Sequence, residues 1–166
     1  MVIFKFRMLS DENDHFVRDY EVPSACTLLD LHNFLIETLD YEQCISSFYT
    51  ADDKWERLAE FTTVDMGAGD ELPTQAMEDV KLNDILTHMH DRLIYLFDLF
   101  GNRAYYIELV DAYDSKEITA PREIFAHATP PDQYDPSENV EDASIFDEMM
   151  GDFGEYDEEG SYDDEW

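Results

Sequence analysis

Two histidines stand two residues apart in this sequence, His88 and His90, and Asp91 follows them directly. In an extended segment, side chains two residues apart point to the same side, so the two imidazoles could share a metal ion. No cluster of partner ligands is visible elsewhere in the sequence, and a polar loop between a short helix and a strand explains the pair more simply. We predict no bound metal and no cofactor, and His88 and His90 are the metal-ligand candidates.

Two other side chains have the chemistry of a general acid or base. His32 lies four residues before Ile36 in a predicted helix, and an imidazole titrates near neutral pH. More often, such a histidine packs at the edge of the core with one hydrogen bond. Asp98 ends a predicted strand, where a carboxylate commonly accepts hydrogen bonds from the following turn. We favour these structural roles, and a small-substrate enzyme that pairs Asp98 with a histidine is an alternative hypothesis.

The two cysteines, Cys26 and Cys44, bracket the same predicted helix. Cys26 lies just before the helix N-terminus, a position that favours the thiolate form. However, the sequence has no Cys-x-x-Cys motif and no histidine beside either cysteine. Polar residues appear by position 10, unlike the long apolar stretch of a secretory signal. We therefore expect a cytoplasmic protein with reduced thiols.

The common catalytic and phosphate-binding motifs are absent from this sequence. The P-loop, the Gly-x-Ser-x-Gly nucleophile motif, the His-Glu-x-x-His zinc motif and the EF-hand loop are all missing. The segment Gly67-Ala68-Gly69 has no basic residue after it and is interpreted as a connector. The sequence therefore predicts no particular reaction, and a non-enzymatic role is favoured.

The charge of the chain is strongly negative and unevenly distributed. The 166 residues carry a formal net charge of −31. This argues against binding to the phosphates of nucleic acid, which requires clustered Lys and Arg, and against docking on an anionic membrane. Residues 129–166 contain fifteen Asp and Glu but no Lys, Arg or His, and they begin with a Pro-Pro pair. We predict a folded domain over residues 1–128 and a disordered acidic tail over residues 129–166.

Four apolar residues of the predicted tail fall at helical spacing. They are Phe146, Met149, Met150 and Phe153. A short helix would place these side chains on one face and carboxylates on the other, which is the spacing that helix-binding grooves recognise. Gly151 and Gly154 each disfavour the helix by about 1 kcal/mol, so we expect it to form only on a partner. A merely solubilising tail with scattered apolar residues is the alternative.

The elements that must position these residues follow from the hydrophobic periodicity of the first 128 residues. Alternation predicts two hairpin strands, and Thr27, with Asp30 in capping-box position, begins an amphipathic helix that ends near Asp40. Further strands and one or two helical turns follow. The predicted ranges are 2–8, 16–22, 46–50, 60–64, 93–98 and 104–110 for strands and 80–86 for the turns. Residues 111–128 carry few signals and are expected to run along the domain surface.

The predicted order of elements is β-β-α-β-β-short α-β-β. This order resembles the β-grasp, or ubiquitin-like, arrangement, in which one main helix lies across a mixed sheet. We therefore predict an α+β fold of the β-grasp type. Trp55 follows Asp52-Asp53-Lys54 at a predicted turn, where it either packs in the core or forms one wall of a partner-binding groove.

Several of these features together resemble the plasmid pRiA4b ORF-3-like family. The resemblance covers residues 2–112 and is most specific in the block from Tyr95 to Leu109, with its Tyr-x-Phe-Asp followed by Ile-x-Leu. The other matching residues are the strand pair, Leu31-His32 in the helix, Tyr41 after it, and Phe48-Tyr49. The resemblance implies an α+β fold and no established reaction. Positions where the family has a glycine and a Trp-x-His hold Phe100, Arg103 and Tyr105 here, which is typical of a divergent member.

The leading hypothesis is a non-enzymatic protein-interaction module of unknown specific role. Its acidic tail would fold on a partner protein that has a basic surface around a hydrophobic groove. The alternative is an acidic mimic of nucleic acid that occupies a nucleic-acid-binding protein, a hypothesis that rests on the net charge of −31. The two hypotheses differ in salt dependence, because exposed charges are screened over about 8–10 Å at physiological ionic strength.

Overall fold

The computed structural model describes residues 1–63, 74–98 and 101–134. Eight strands and two α-helices follow one another along this part of the chain, and a 3-10 turn at Met77–Asp79 precedes the second helix. The strands are β1 (Val2–Ser10), β2 (Val17–Pro23), β3 (Ser47–Ala51), β4 (Arg57–Thr62), β5 (Thr74–Ala76), β6 (Arg92–Asp98), β7 (Arg103–Asp114) and β8 (Arg122–His127). The helices are α1 (Leu28–Leu39) and α2 (Leu82–Ile85).

All eight strands form one mixed sheet in the order β5-β4-β3-β6-β7-β1-β2-β8. The pair β4–β5 is parallel, and the other pairs between the described strands are antiparallel. The α+β class is compatible with this architecture, but the β-grasp prediction is wrong. In this sheet β1 lies between β7 and β2 and is antiparallel to both.

The sequence prediction also failed at the C-terminal end of the sheet. We expected residues 111–128 to run along the surface, but β7 continues to Asp114 and β8 adds a further strand beside β2. All six residues of β8 are exposed, so its sequence lacks the alternation of apolar and polar residues that marks a half-buried strand. Hydrophobic periodicity therefore gave no signal for β8, although its backbone pairs with β2 from Arg122 to His127, with one register shift between Asp19 and Tyr20.

The helix α1 begins and ends where the sequence predicts. The Thr27 hydroxyl accepts from the Asp30 backbone N–H at 3.1 Å, and the Asp30 carboxylate accepts from the Thr27 N–H at 3.0 Å. This reciprocal pair satisfies two N–H groups that the first turn leaves free. Asp40 ends the helix with a left-handed backbone, at φ 59°.

The core lies between α1 and one face of the sheet. The buried leucines of α1 contact the inward side chains of the strands, among them Phe6, Phe48, Tyr95 and Tyr105. A smaller apolar cluster lies on the opposite face, where Tyr49, Ile94, Leu96 and Ala104 alternate with the core residues along their strands. In the described part of the chain, no helix is long and apolar enough to cross a membrane.

Candidate functional site

His32 lies in a closed polar cluster between α1 and the sheet. Its Nδ1 atom is 2.8 Å from the Tyr95 hydroxyl and 2.8 Å from the Ser46 hydroxyl. All three residues are buried, with 1%, 0% and 0% of their surface exposed for His32, Ser46 and Tyr95. Burial lowers the pKa of His32 to about 4, so the imidazole is neutral at pH 7. The cluster therefore links α1 to β6 and to Ser46, the residue before β3, through hydrogen bonds, and it is shielded from solvent.

The two cysteines are free thiols, and both are partly buried. Burial is the main cause that raises the pKa of Cys26, and the nearby Asp30 carboxylate raises it further. Burial likewise raises the pKa of Cys44. The N-terminus of α1 thus does not produce a thiolate at Cys26, because desolvation and a negative neighbour both favour the neutral thiol.

The carboxylate of Asp98 stabilises the turn between β6 and β7. Its Oδ1 atom accepts from the Gly101 N–H at 3.0 Å, which confirms the predicted turn role. A Cβ atom on Gly101 would lie 2.7 Å from Asp98 Oδ2, so a side chain at this position would displace the carboxylate from its present contacts. Asn102 takes the left-handed conformation of the turn, at φ 54°.

Arg103 forms the centre of a second polar cluster at the same end of the sheet. Its Nε and Nη2 atoms donate to the two carboxylate oxygens of Glu12 at 2.9 and 2.8 Å. Its guanidinium also lies 3.5 Å from Asp98 Oδ2 and 4.9 Å from the ring centroid of Phe97. The side chain is 9% exposed, so these contacts are shielded from water.

The remaining donors of Arg103 bind the backbone of a segment that follows β8. Nη2 donates to the Asp132 carbonyl oxygen at 2.7 Å, and Nη1 donates to the Gln133 carbonyl oxygen at 3.0 Å. We name residues 128–133 the strap. Ala128, at φ 69°, turns the chain out of β8 into the strap. The strap belongs to the compact unit Met1–Gln133, although its last five residues fall in the predicted tail.

Four side chains donate to the carbonyl oxygens of the strap, and we name this set the clasp. Arg18 donates to Ala128 at 2.8 Å, and Asn13 donates to Thr129 at 3.4 Å. The Tyr41 hydroxyl donates to Pro131 at 2.5 Å, and Arg103 completes the set. Side-chain donors thus satisfy five of the six successive strap carbonyls, a pattern that holds a Pro-Pro segment, which has few N–H groups of its own.

The side chain of Gln133 closes the strap against the loop after α1. Its Oε1 atom accepts from the Glu42 N–H at 2.7 Å, and its Nε2 atom donates to the Glu42 carbonyl at 2.8 Å. The amide side chain therefore pairs with one backbone residue as a neighbouring strand would. This contact fixes the last residue of the strap.

Two tyrosines form the inner wall of the clasp. The hydroxyls of Tyr41 and Tyr105 lie 2.6 Å apart. Because Tyr41 donates its proton to Pro131, Tyr105 must donate to Tyr41. Burial is the main cause that raises the pKa of both, to about 12 for Tyr41, so both stay protonated donors. Their rings pack with Phe97 at centroid distances of 5.0 and 5.5 Å.

A cleft of about 470 Å³ opens beside the strap. The end of α1, the start of β2 and the strap line it, with Arg18, Asp40, Tyr41, Glu123 and Asp132 among the lining residues. The Arg18 guanidinium is already used by three backbone carbonyls and by the ring of Phe16. The cleft is therefore lined by the carboxylates of Asp40, Glu123 and Asp132. The guanidinium of Arg18 is already bonded to the strap and to its neighbouring residues.

Trp55 lies on the face of the sheet opposite to α1, where it partly covers the smaller apolar cluster. The turn that carries it is held by Asp52, whose Oδ1 accepts from the N–H groups of Lys54 and Glu56. This turn places Trp55 at φ 64°, a rare conformation for a bulky residue. The guanidinium of Arg92 lies 4.5 Å from the indole centroid. Trp55 is therefore outside the main core, and its role as a partner contact stays a prediction.

The two histidines of the His-x-His pair bond to different partners. His88 Nδ1 is 2.9 Å from the Thr87 hydroxyl, and His90 Nδ1 is 2.8 Å from Glu108 Oε2. Asp91 accepts from the N–H groups of Thr87 and His88 and so closes the loop. Within residues 1–63, 74–98 and 101–134, no three His, Cys, Asp or Glu side chains are grouped to hold a metal ion.

The comparisons with known proteins agree with this architecture. The sequence profile of the plasmid pRiA4b ORF-3-like protein family matches residues 3–164, nearly the whole chain. The chain belongs to the pRiA4b ORF-3-like family. The crystal structure of a protein of unknown function from Methanosarcina mazei Go1 is similar, with a TM-score of 0.64 and 19% identity over 90% of this chain and 84% of that one. No curated protein matches the sequence significantly.

The family membership confirms the resemblance drawn from the sequence, and the structural likeness shows the fold alone. The residues that carried the resemblance are mostly structural in this pRiA4b ORF-3-like chain. His32 and Tyr95 share the buried cluster, Asp98 holds a turn, and Ile107 and Leu109 are core residues of β7. Tyr41 is the exception, because its hydroxyl contacts the strap.

Sequence reasoning missed the clasp of this family member. We read the Pro-Pro pair of the strap as the start of the tail, and we noted Arg103 only as a departure from the family pattern. A usable signal was present, since Pro130-Pro131 restricts the chain to an extended path, and aromatic side chains commonly bind such proline segments. The apolar tail residues lie outside the described residues; these are Phe146, Met149, Met150 and Phe153.

Proposed function

We propose that this chain is a non-enzymatic protein-interaction module, in which the folded domain holds the base of an acidic binding segment. The clasp is the observation that carries this proposal. Four side chains of the domain bind the backbone of the strap, and the acidic residues 134–166 follow the strap directly. The clasp therefore fixes the chain up to Gln133, directly before the acidic residues begin.

The state of the candidate catalytic groups supports a binding role. His32 is enclosed and has a pKa of about 4, and burial raises the pKa of both thiols. Asp98 is used by the turn and by Arg103. An enzyme that pairs Asp98 with a histidine requires the two side chains to converge on a pocket, whereas His32 bonds to Tyr95 and Ser46 instead.

The proposed binding determinant is the apolar stripe of the acidic segment. Residues 134–166 contain fourteen Asp and Glu and no Lys, Arg or His. Within them, Phe146, Met149, Met150 and Phe153 have the spacing of one helix face. The segment would become helical on a partner whose hydrophobic groove is rimmed by Lys and Arg, since such a rim complements the carboxylates. We place this interaction in the cytoplasm, where free thiols stay reduced.

Affinity capture from a lysate of the source organism tests the proposal with three matched baits. The first is the full chain, the second ends at Gln133 and keeps the strap, and the third replaces the four stripe residues by serine without changing the charge. The proposal expects a partner that only the full chain retains. Equal capture by the second bait would remove residues 134–166 from the function.

The same baits separate this proposal from nucleic-acid mimicry, for which the net charge of −31 is the supporting observation. A mimic binds through its carboxylates, so the serine variant would capture the same partner as the full chain. Its binding would fall steeply between about 50 and about 200 mM salt, as phosphate-like contacts do. A partner that needs the stripe and resists this range of salt supports the interaction module.

A further inference from the structure

Within residues 1–63, 74–98 and 101–134, no strand pairs with the outer edge of β8. It pairs with β2 on one side and is the last strand in the sheet order. All six of its residues are exposed, and its two large apolar side chains, Ile124 and Phe125, are 41% and 50% exposed. Such an edge presents unpaired backbone groups to a further strand, and proteins usually protect it with proline, lysine or a bulge. Here the strand contains neither proline nor lysine, and its irregularity is a register shift at Ile124 in the pairing with β2.

The edge is also balanced in charge, in contrast to the chain as a whole. Arg122 pairs with Glu21 at 2.6 Å, and Arg18 pairs with Glu123 at 3.6 Å. One strand further in, Arg7 pairs with Asp19 at 2.9 Å. Two copies of a chain with net charge −31 repel each other, so they approach best where the local charges already cancel. The opposite edge of the sheet is less suited to pairing, because its strand β5 has only three residues and the acidic Glu78 and Asp79 follow it closely.

We propose that two copies of this chain pair through β8, antiparallel and with Phe125 on the two-fold axis. Antiparallel pairing about such an axis places Phe125 opposite the second copy's equivalent residue. The same register places Glu123 opposite His127, and Ile124 opposite Ala126. Residues 123–127 then each face an aromatic, apolar or oppositely polar neighbour, which are favourable cross-strand pairs. The result is a continuous sheet through the dimer with an isologous interface.

The strand is self-complementary, and this selects a second copy over an unrelated basic peptide. A basic partner needs uncompensated carboxylates on the edge, whereas Glu21 and Glu123 already have arginine partners. The available length is set by Pro121 before β8 and by the turn at Ala128 after it. A strand of this length spans about 20 Å, enough for a small, concentration-dependent interface.

Engineered cysteines in the full chain test the pairing and its register. The variant Phe125→Cys forms an intermolecular disulfide in mild oxidant, because opposed strand residues lie within disulfide reach. The variant Ile124→Cys is the matched control, since this register offsets it from its own copy, and Leu58→Cys controls for general exposure. Rapid cross-linking of Phe125→Cys alone supports the proposal. Rates equal to either control would overturn it.

Sedimentation of the full chain supplies a second measurement that needs no cysteine. Dimer formation strengthens as salt rises from about 30 to about 300 mM, because screening reduces the repulsion between the two acidic chains. The variant Phe125→Glu weakens the dimer by about tenfold or more, whereas Leu58→Glu, an equally exposed site on β4, leaves it unchanged. A chain that stays monomeric at high salt and high concentration, or a dimer that Phe125→Glu leaves intact, would refute the pairing.

Discussion

The guanidinium of Arg103 and the carboxylate of Glu12 meet in a two-bond contact, with N–O distances of 2.8 and 2.9 Å. This contact joins the β1–β2 turn to the start of β7, and the other donors of Arg103 bind the strap. One side chain thus connects the sheet to the base of the acidic segment. A planar guanidinium suits this task because it presents five donors in a fixed geometry.

Replacing Arg103 is expected to destabilise the domain markedly. Arg103→Ala leaves Glu12 and the carbonyls of Asp132 and Gln133 without their donor, at a cost of about 2 to 3 kcal/mol in the free energy of unfolding. Urea denaturation measures this change. Arg57→Ala is the control, because Arg57 is exposed on the opposite face and its contacts are worth about 1 kcal/mol or less. Equal losses in the two variants would contradict the role of Arg103.

The hydroxyl of Tyr41 is expected to hold the strap. Tyr41→Phe removes the donor to Pro131 and the acceptor for Tyr105, which costs about 1 to 3 kcal/mol. Limited proteolysis shows which part of the chain is loosened by the substitution. Cleavage within residues 128–133 should become faster, while cleavage within the sheet should not. Tyr113→Phe, at the far end of β7, serves as the comparison. A strap that stays equally protected in Tyr41→Phe would show that the clasp is not needed.

Acid is expected to weaken the fold partly through His32. Its pKa is about 4 in the folded chain and 6.5 when unfolded, so between these values only the unfolded state takes up the proton. The imidazole contributes almost no pH dependence above about pH 7.5, and as pH falls towards 4 its protonation in the unfolded state lowers the free energy of unfolding by up to about 3 kcal/mol. Denaturation from pH 7 to 4 measures this slope.

The variant His32→Gln supplies the control for that measurement. Carboxylates also titrate in this range, but they are common to both proteins, so the difference between the two slopes reports the histidine. The wild-type chain should lose stability more steeply than His32→Gln below pH 6.5. Parallel curves would mean that the buried imidazole does not resist protonation.

The turn between β6 and β7 is expected to respond differently to two neighbouring substitutions. Gly101→Ala places a Cβ atom 2.7 Å from Asp98 Oδ2 and should cost about 1 to 3 kcal/mol. Asn102→Gly should be close to neutral, because glycine adopts the φ of 54° without strain and the substitution removes only the exposed hydrogen bond that Arg57 donates to the Asn102 side chain. Thermal unfolding of both variants checks the pair, and a neutral Gly101→Ala would contradict the close approach.

The sequence predicted the elements that have a strong apolar pattern. This pattern is alternation in β1 and β7, helical spacing in α1 and a continuous apolar run in β6, which is buried on both faces. The capping box at Thr27 and Asp30 was recognised from residue types alone. Asp98 was also interpreted correctly as a turn residue.

Features that depend on backbone pairing and long-range contacts were not predictable in this way. β8 is exposed on both faces, so no hydrophobic pattern marks it. The β-grasp assignment was wrong because the order of elements along the chain does not reveal that β1 pairs antiparallel with β7. The clasp brings together side chains that are far apart in sequence, such as Asn13, Tyr41 and Arg103. They all donate to backbone carbonyl oxygens. Because every residue has such an oxygen, the sequence does not indicate which residues accept these hydrogen bonds.

Peptide competition tests the central claim, that the apolar stripe of the acidic segment binds a partner. A synthetic peptide of residues 138–158 is added to partner captured by the full chain, and a second peptide replaces Phe146, Met149, Met150 and Phe153 by serine at unchanged charge. The account predicts that the natural peptide releases the partner and that the serine peptide does not. Release by both peptides alike, or by neither, would contradict it.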